Sequence, residues 1–195
     1  TLYGNGFNKI YIMKRFFIYV IAFLPIVYLL IRLFVIDDVN DPIKYIYTIT
    51  GVSATVILFI SISISLIKEK INLMKYRKEI GLLGFFYAFL HLLNFIVFDA
   101  SFDFEFILKE SFEKSFIYLG MIAFFILLFM AITSTKQLFR KYNKYHKLVY
   151  LSLILITIHW IMAQKAISIW QFSYIGIILI IGYYKLLQQI MKKYK

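Results

Sequence analysis

The stretch 81–98 reads GLLGFFYAFLHLLNFIVF and decides the fold of this chain. It holds one histidine and no Asp, Glu, Lys or Arg. Its apolar residues do not alternate with polar ones, and its length is close to the roughly 20 residues that a helix needs to cross the hydrocarbon of a bilayer. A segment in lipid must pair its own backbone polar groups, which a helix does without a partner strand. We therefore predict a membrane-spanning helix here.

Five other stretches have the same character. The six predicted spans are approximately 16–36, 45–67, 81–98, 116–133, 148–163 and 169–187, the fifth being marginal in length. The composition agrees, because 62% of the residues are hydrophobic and only 16% are charged, whereas soluble domains have about 45–50% apolar and about 25% charged residues. The predicted fold class is all-α, an integral membrane bundle of six helices that forms one domain over residues 1–195.

The distribution of charge predicts the orientation of the bundle. Of the 22 Lys and Arg residues, 17 lie in the N-terminal segment, the loops 68–79 and 134–147, and the C-terminal tail. Eight of the 10 acidic residues lie in the loops on the other side. Because basic loops stay in the cytoplasm, we expect both termini to be cytoplasmic. The net charge of +12 is then explained by topology and by contact with anionic lipid, so we expect no nucleic-acid partner.

The residue types and motifs that the sequence lacks exclude several kinds of cofactor and catalytic site. The sequence has no cysteine, which excludes iron–sulfur clusters, thiolate zinc sites and thiol nucleophiles within these residues. It has no G-x-G-x-x-G or P-loop motif, so we expect no nucleotide-binding domain in this stretch. We also detect no long internal repeat.

Two histidines lie deep in predicted spans that run in the same direction. His91 is ten residues beyond Gly81 and His159 is eleven beyond Leu148, about 15 Å and 16–17 Å along a helix. Ionisable groups at such depth are costly and usually functional. Two neutral imidazoles at matching depth suit the two axial positions of a haem iron, whereas zinc would want further ligands. The alternative is that each histidine only bonds to a Ser, a Thr or a carbonyl inside the bundle.

The third histidine, His146, opens the fifth span at the cytoplasmic face. It precedes His159 by thirteen residues, about 19–20 Å along an ideal helix, so the two cannot share one iron. Arg77 precedes His91 by fourteen residues. We expect electrons to enter here, with His146 ligating a second haem or bordering a flavin or quinone, and Arg77 pairing with a propionate or phosphate. The alternative is that both are interfacial side chains that follow the charge pattern.

Several segments resemble one known family. RKEIGL at 77–82 is followed by FFYAFLHL at 85–92, AITST at 131–135 by HKLVYL at 146–151, and then by IHW at 158–160; DPIK at 41–44 and TG at 50–51 precede them. Together they resemble the MsrQ (YedZ) family, the haem-binding membrane subunit of the periplasmic protein-methionine-sulfoxide reductase system, within the ferric-reductase-like transmembrane superfamily. The resemblance extends from about Pro25 to the final span.

The resemblance implies a function. A member would hold one or two b-type haems in the bacterial inner membrane, and some members also bind FMN. It would carry electrons from quinol or a cytoplasmic flavin reductase to a periplasmic molybdopterin subunit that reduces methionine sulfoxide in oxidised proteins. The histidines of the family correspond to His91, His146 and His159, and its basic position before Gly-Leu corresponds to Arg77; the family often has a second Arg where Lys78 stands.

On this basis we expect an electron-transfer subunit without substrate chemistry of its own. One alternative is a haem-dependent ferric reductase that acts at the outer face of the membrane. A second alternative, from another class, is a non-redox membrane transporter or assembly factor whose histidines are structural.

Overall fold

The computed structural model describes residues 2–36, 39–65, 73–164, 173, 176, 177 and 180, with side chains from residue 12 onward. All regular secondary structure in these residues is helical, which confirms the all-α prediction. The α-helices are α1 (Leu2–Ile31), α2 (Pro42–Ile64), α3 (Arg77–Asn94), α4 (Phe104–Glu113), α5 (Ser115–Ile132), α6 (Lys136–Tyr142) and α7 (Leu148–Met162).

Short irregular helical turns continue several of these helices. Five-residue π-helical segments follow α1 at Arg32–Ile36 and α3 at Phe95–Asp99. Turns of 3₁₀-helix precede α3 at Met74–Tyr76 and α7 at Asn143–Lys147.

Five helical stretches are long and apolar enough to cross a membrane. They are Ile12–Ile36, Pro42–Ile64, Met74–Asp99, Ser115–Ile132 and Lys136–Met162. Each overlaps one of the first five predicted spans. The sixth predicted span, 169–187, lies outside the described residues apart from positions 173, 176, 177 and 180.

The surfaces of these helices are apolar where a soluble protein would be polar. On α1, for example, Phe16 and Ile21 are 64% and 63% exposed. Large apolar side chains exposed along a helix of this length need lipid around them. The chain is therefore a multi-pass membrane protein.

The fifth span differs from the prediction at its beginning. The segment 134–147 was expected as a loop, but α6 and a 3₁₀ turn occupy most of it, and only α7, with 15 residues, is apolar throughout. The basic residues of α6 are strong helix formers, which explains a helix in a segment too charged for the hydrocarbon.

The described helices belong to two compact units, and each is considered by itself. The first unit comes from Thr1–Ser61 and Leu73–Leu108, and the second from Ile62–Asn72 and Lys109–Lys195.

In the first unit, α1 and α3 lie parallel. Arg15 forms an ion pair with Glu79 at 2.8 Å near the beginning of α3. Further along, the hydroxyl of the fully buried Tyr87 donates to the carbonyl oxygen of Ala22 at 2.5 Å. The same direction for α1 and α3 agrees with their assignment as first and third spans.

Helix α2 lies antiparallel to α3 in the same unit. The hydroxyl of Ser61, near the end of α2, donates to the carbonyl of Arg77 at the start of α3, at 3.2 Å. At the opposite end, the amide of Asn94 donates to the carbonyl of Ile43 at 3.3 Å. These two bonds fix the register between the helices, so the middle of α2 faces the middle of α3.

In the second unit, α5 and α7 form the main antiparallel pair. The hydroxyl of Ser152, which is fully buried, donates to the carbonyl of Ala123 at 3.4 Å. Leu127 and Leu153 are buried beside this contact. Small residues at the crossing let the two backbones approach closely.

Helix α4 has 10 residues and lies between α3 and α5 in the chain, so it is too short to cross a bilayer. It follows a turn in which Ser101 and Phe102 have positive φ angles of 46° and 63°. Three apolar side chains spaced four residues apart, Phe104, Leu108 and Phe112, are 77%, 61% and 73% exposed. They form one stripe along α4, which is typical of a helix that lies on a membrane surface.

Candidate functional site

His91 lies in the last turn of α3 and contacts α2. Its Nδ1 is 3.3 Å from the hydroxyl oxygen of Thr50. That hydroxyl donates its own proton to the carbonyl of Ile46 at 2.6 Å, so towards His91 it acts as an acceptor. His91 therefore carries its proton on Nδ1, and in the neutral ring the lone pair is on Nε2.

A second side chain of α2 holds the ring of His91 from another direction. The ring of Tyr47 contacts it edge to face, with centroids 5.2 Å apart. The hydroxyl of Tyr47 in turn donates to a carboxylate oxygen of Asp99 at 2.6 Å. The imidazole is thus supported by a residue that is itself fixed to the end of the same span.

His159 lies in the last turn of α7 and contacts α5. Its Nδ1 is 2.6 Å from the carbonyl oxygen of Phe116. A carbonyl only accepts, so Nδ1 donates and the lone pair of the neutral ring is on Nε2. The ring of Phe116 lies near the imidazole, with centroids 6.0 Å apart. The result is the same tautomer as in His91, fixed by different groups.

Each of these histidines also lies against a glycine of the neighbouring helix. A Cβ atom added to Gly51 would lie 3.0 Å from Cε1 of His91, and one added to Gly120 would lie 2.8 Å from Nδ1 of His159. We call these the first and second glycine contacts. Each occurs within one unit, where α2 faces α3 or α5 faces α7.

His146 is held through its other ring nitrogen, Nε2. Its Nε2 is 3.1 Å from the hydroxyl oxygen of Thr133, which donates to the carbonyl of Phe129 at 2.7 Å. Nε2 therefore donates, and the lone pair of the neutral ring is on Nδ1. The ring of Phe139 packs edge to face against it, 4.8 Å between centroids. This bond joins the end of α5 to the turn that precedes α7.

Arg77 is the first residue of α3, and its side chain is half-buried. Its carbonyl accepts the hydroxyl of Ser61, so the structure brings the backbone of Arg77 to the end of α2. Its expected pairing with an anionic group is a prediction that the contacts around it do not test.

Each of the three histidines contacts a hydroxyl or a carbonyl, which are the bonds expected if the histidines are only structural. These contacts are compatible with a ligand role for His91 and His159, because the bonds to Thr50 and to Phe116 are made by Nδ1. In metal-binding histidines one ring nitrogen commonly donates to a protein oxygen, and this bond fixes the tautomer and orientation of the ligand.

Two observations make His91 and His159 suitable for holding haem. The donor set consists of imidazoles whose Nε2 atoms carry the lone pair, which is the kind of ligand that haem iron accepts. The glycine contacts, in addition, hold both rings against a neighbouring backbone. In the described part of the chain, no group of three or more His, Asp or Glu side chains could hold a metal ion by itself.

The residues that hold these histidines were not predicted from the sequence. Thr50 and Gly51 were noted only as part of the family resemblance, and Gly120 and Phe116 were not linked to His159. The sequence does contain a pattern that marks these residues, because α2 and α5 share one spacing: aromatic-x₃-Gly-x₂-Ala-x₃-Leu. It comprises Tyr47, Gly51, Ala54 and Leu58 in α2, and Phe116, Gly120, Ala123 and Leu127 in α5. The repeat covers twelve residues, which is too short to be recognised without the helix pairing.

Comparison with known proteins supplies the family. The family of the ferric reductase like transmembrane component matches residues 68–184. A protein-methionine-sulfoxide reductase heme-binding subunit MsrQ from Brucella ovis is 30% identical over 132 residues, which are 65% of this chain and 60% of that protein. An MsrQ subunit from Agrobacterium fabrum is 29% identical over 154 residues, 76% of this chain and 72% of that protein.

The matched region includes all three histidines and covers more than half of the chain. The similarity to MsrQ subunits confirms the resemblance that the sequence segments indicated. The chain belongs to the family of ferric reductase like transmembrane components, among which the MsrQ haem-binding subunits are its relatives.

Proposed function

We propose that this chain is a haem-binding membrane subunit that carries electrons across the bacterial inner membrane. The electrons would come from quinol or a cytoplasmic flavin reductase. They would go to a periplasmic molybdopterin subunit that reduces methionine sulfoxide in oxidised proteins. The names of the relatives support the haem and the reductase system; the donor and the molybdopterin partner rest on the resemblance.

One observation carries the proposal. His91 and His159 are half-buried in membrane-spanning helices, and each donates from Nδ1 to an oxygen of the preceding span. Both rings therefore have the tautomer that a histidine would need to hold haem iron through Nε2. Haem held at these histidines would supply one-electron redox chemistry in the apolar part of the chain.

The protein groups around these ligands have defined tasks in the proposal. Thr50 and the carbonyl of Phe116 hold the protons on Nδ1. The aromatic rings of Tyr47 and Phe116 restrict rotation of the imidazoles and exclude water from one side of each. Such support keeps a ligand in place without adding charge to the hydrocarbon.

The proposal for His146 is distinct, because its Nε2 already donates to Thr133. Ligation of a second haem through Nε2 requires that this bond be released, whereas ligation through Nδ1 leaves it intact. Arg77 and FMN belong to the same cytoplasmic part of the proposal, in which Arg77 would pair with a propionate or a phosphate. The roles of His146 and Arg77 rest on their position at the cytoplasmic face, and FMN rests on the family resemblance.

The proposed topology has six membrane-spanning helices, including 169–187, with both termini in the cytoplasm and one domain over residues 1–195. The charge distribution supports it, because 17 of the 22 basic residues would then be cytoplasmic.

The test is a reduced-minus-oxidised absorption spectrum of the detergent-purified protein. The wild type is compared with His91→Ala, His159→Ala and His146→Ala, and with Phe125→Ala as a control at a position 57% exposed on α5. Size-exclusion chromatography monitors folding of each variant. We expect a low-spin b-type spectrum in the wild type and the control, and its loss in His91→Ala and His159→Ala.

The ratio of haem to protein in His146→Ala gives the number of haems. A fall to half of the wild-type ratio assigns a second haem to His146, and an unchanged ratio assigns it the structural bond to Thr133. A wild type that stays colourless after incubation with haem contradicts the proposal. It would favour a transporter or assembly factor.

Ferric reduction at the outer face is a second candidate, favoured by the family of the ferric reductase like transmembrane component. Purified, dithionite-reduced protein is mixed with chelated ferric iron in the absence of any molybdopterin protein. Rapid reoxidation of the haem spectrum supports this candidate. Reoxidation only in the presence of the methionine sulfoxide reductase subunit and its substrate supports the first.

A further inference from the structure

We propose that Gly51 and Gly120 are positioning residues, each of which sets the orientation of one imidazole for iron. The proposal rests on the proposed haem ligation by His91 and His159. It adds that the two glycines, which are not ligands themselves, determine where the ligating nitrogens lie.

The first glycine contact is between the middle of α2 and His91. A Cβ atom on residue 51 would lie 3.0 Å from Cε1 and 3.1 Å from Nδ1 of His91, closer than nine in ten real Cβ contacts. The imidazole therefore lies directly against the backbone of α2. Any side chain at this position would displace the ring by a few tenths of an ångström.

The second glycine contact is tighter. A Cβ atom on residue 120 would lie 2.8 Å from Nδ1 and 2.9 Å from Cε1 of His159, distances that real Cβ atoms essentially never show. The ring has little room to retreat, because its Nδ1 is held at 2.6 Å by the carbonyl of Phe116. A methyl group here would have to break or lengthen that bond.

The two contacts share one local design. In both, an aromatic residue four positions before the glycine approaches the ring of the histidine, as Tyr47 does for His91 and Phe116 for His159. Seven positions after the glycine, Leu58 and Leu127 are each 4% exposed. The same arrangement therefore occurs independently in both units, which a chance close approach would not explain.

A purely structural reason for a glycine is visible elsewhere, and it provides the control. A Cβ atom on Gly84 would lie 2.7 Å from Cγ and 2.8 Å from Cδ2 of Leu58. This glycine lets α2 and α3 approach each other, but its close neighbour is a leucine and not an imidazole. Gly84→Ala should therefore disturb the helix pair without acting directly on His91.

The experiment compares Gly51→Ala, Gly120→Ala and Gly84→Ala with the wild type, all purified with haem from membranes. Each protein is characterised by its low-spin EPR spectrum, its haem midpoint potential and its thermal stability. The orientation and distance of an axial imidazole determine the first two properties, whereas helix packing determines the third.

We expect Gly51→Ala to keep low-spin haem with shifted g values and a changed potential. Gly120→Ala should lose most of the low-spin signal, because its Cβ contacts are closer. Gly84→Ala should lower thermal stability and keep the wild-type spectrum and potential. If Gly120→Ala does not fold, Gly51→Ala decides the question.

Wild-type EPR spectra and potentials in both Gly51→Ala and Gly120→Ala would overturn the inference, and so would an equal spectral shift in Gly84→Ala. In each of these outcomes the wild type still binds haem, so the proposed function stands. A wild type without haem overturns the proposed function and, with it, the basis of this inference.

Discussion

Thr50 determines which nitrogen of His91 carries the proton, and it does so with one hydroxyl. The hydroxyl donates within its own helix, to Ile46, and accepts from Nδ1 of His91. An imidazole that donates from Nδ1 is a stronger electron donor through Nε2, because the bond increases its basicity. Stronger donation favours ferric over ferrous iron.

Thr50→Val should therefore raise the haem midpoint potential. Valine has the shape of threonine without the hydroxyl, so the ring loses its acceptor but little packing. The potential shifts by the difference in the strength of this bond between ferric and ferrous protein; taking the whole of a typical hydrogen bond as the upper bound, the rise is at most about 60 mV for a one-electron couple.

A redox titration of purified protein measures this rise. Thr48→Val is the matched control, because the hydroxyl of Thr48 donates to the carbonyl of Lys44 in the same helix and is not bonded to His91. An equal potential in both variants, or a lower one in Thr50→Val, would show that the bond does not tune the ligand.

At this scale the sequence predicted the histidines but not their supports. His91 and His159 are conspicuous because ionisable residues are rare in apolar spans. Their partners are ordinary in composition: a threonine, two glycines and a backbone carbonyl. They acquire a role only when α2 faces α3 and α5 faces α7, and that pairing depends on tertiary packing.

Among the helices, α1 contains Pro25, and a hydrogen bond joins α1 to α3 close to this proline. Proline lacks the N–H that would donate to the carbonyl four residues earlier, which here is that of Ile21. Tyr87, which is fully buried, donates to the carbonyl of Ala22, three residues before the proline. This bond is one of the polar links between the two parallel helices.

Tyr87→Phe should destabilise the protein by about 1–3 kcal/mol, because it leaves a buried carbonyl without this donor. The melting temperature in detergent should fall by about 2–10 °C. Tyr19→Phe, on α1 at a position 37% exposed, should melt like the wild type. Equal melting curves for the two variants would show that the Tyr87 bond adds no net stability.

Helix α4 offers a direct test of its position, since the chain has no cysteine of its own. A fluorescent probe on Leu108→Cys should be in the lipid interface, and the same probe on the exposed neighbour Lys109→Cys should be in water. In proteoliposomes, a lipid-bound quencher should therefore quench the first probe more strongly. Equal quenching at both positions would place the apolar stripe of α4 away from the membrane.

Element boundaries show why hydropathy predicts some features and not others. The first five spans were predicted because lipid requires long apolar helices. The π-helical segments at Arg32–Ile36 and Phe95–Asp99 were not, because they shift the backbone register without a change in hydropathy. Helix α6 was missed because its charged sequence is typical of both loops and short interfacial helices.

For the whole molecule, charge is the observation from which the orientation was inferred. Lys109 follows α3 in the chain and Lys144 precedes α7, and both are exposed. In intact spheroplasts, a membrane-impermeant maleimide should label Lys109→Cys at once. It should label Lys144→Cys only after permeabilisation, and the reverse pattern would invert the proposed topology.

The 15 residues of α7 have a consequence for the lipid around the molecule. At 1.5 Å per residue, this uniformly apolar part of the longer helical stretch Lys136–Met162 is about 22 Å long, shorter than the roughly 30 Å of a typical hydrocarbon layer. A helix that is too short creates hydrophobic mismatch, which the bilayer relieves by thinning at a cost for each ångström. His159 lies in the last turn of this short helix, so the strain falls next to a proposed ligand.

Acyl-chain length should therefore control how well the protein retains haem. In proteoliposomes of phosphatidylcholine with short monounsaturated chains, the low-spin spectrum should survive heating to a higher temperature than in lipid with long chains. Heating the protein in lipids of three acyl-chain lengths measures the temperature at which half of the low-spin spectrum is lost. A temperature that does not depend on chain length would show that α7 is not the point of mismatch. If the trend holds, bilayer thickness becomes a physical regulator of the proposed haem site.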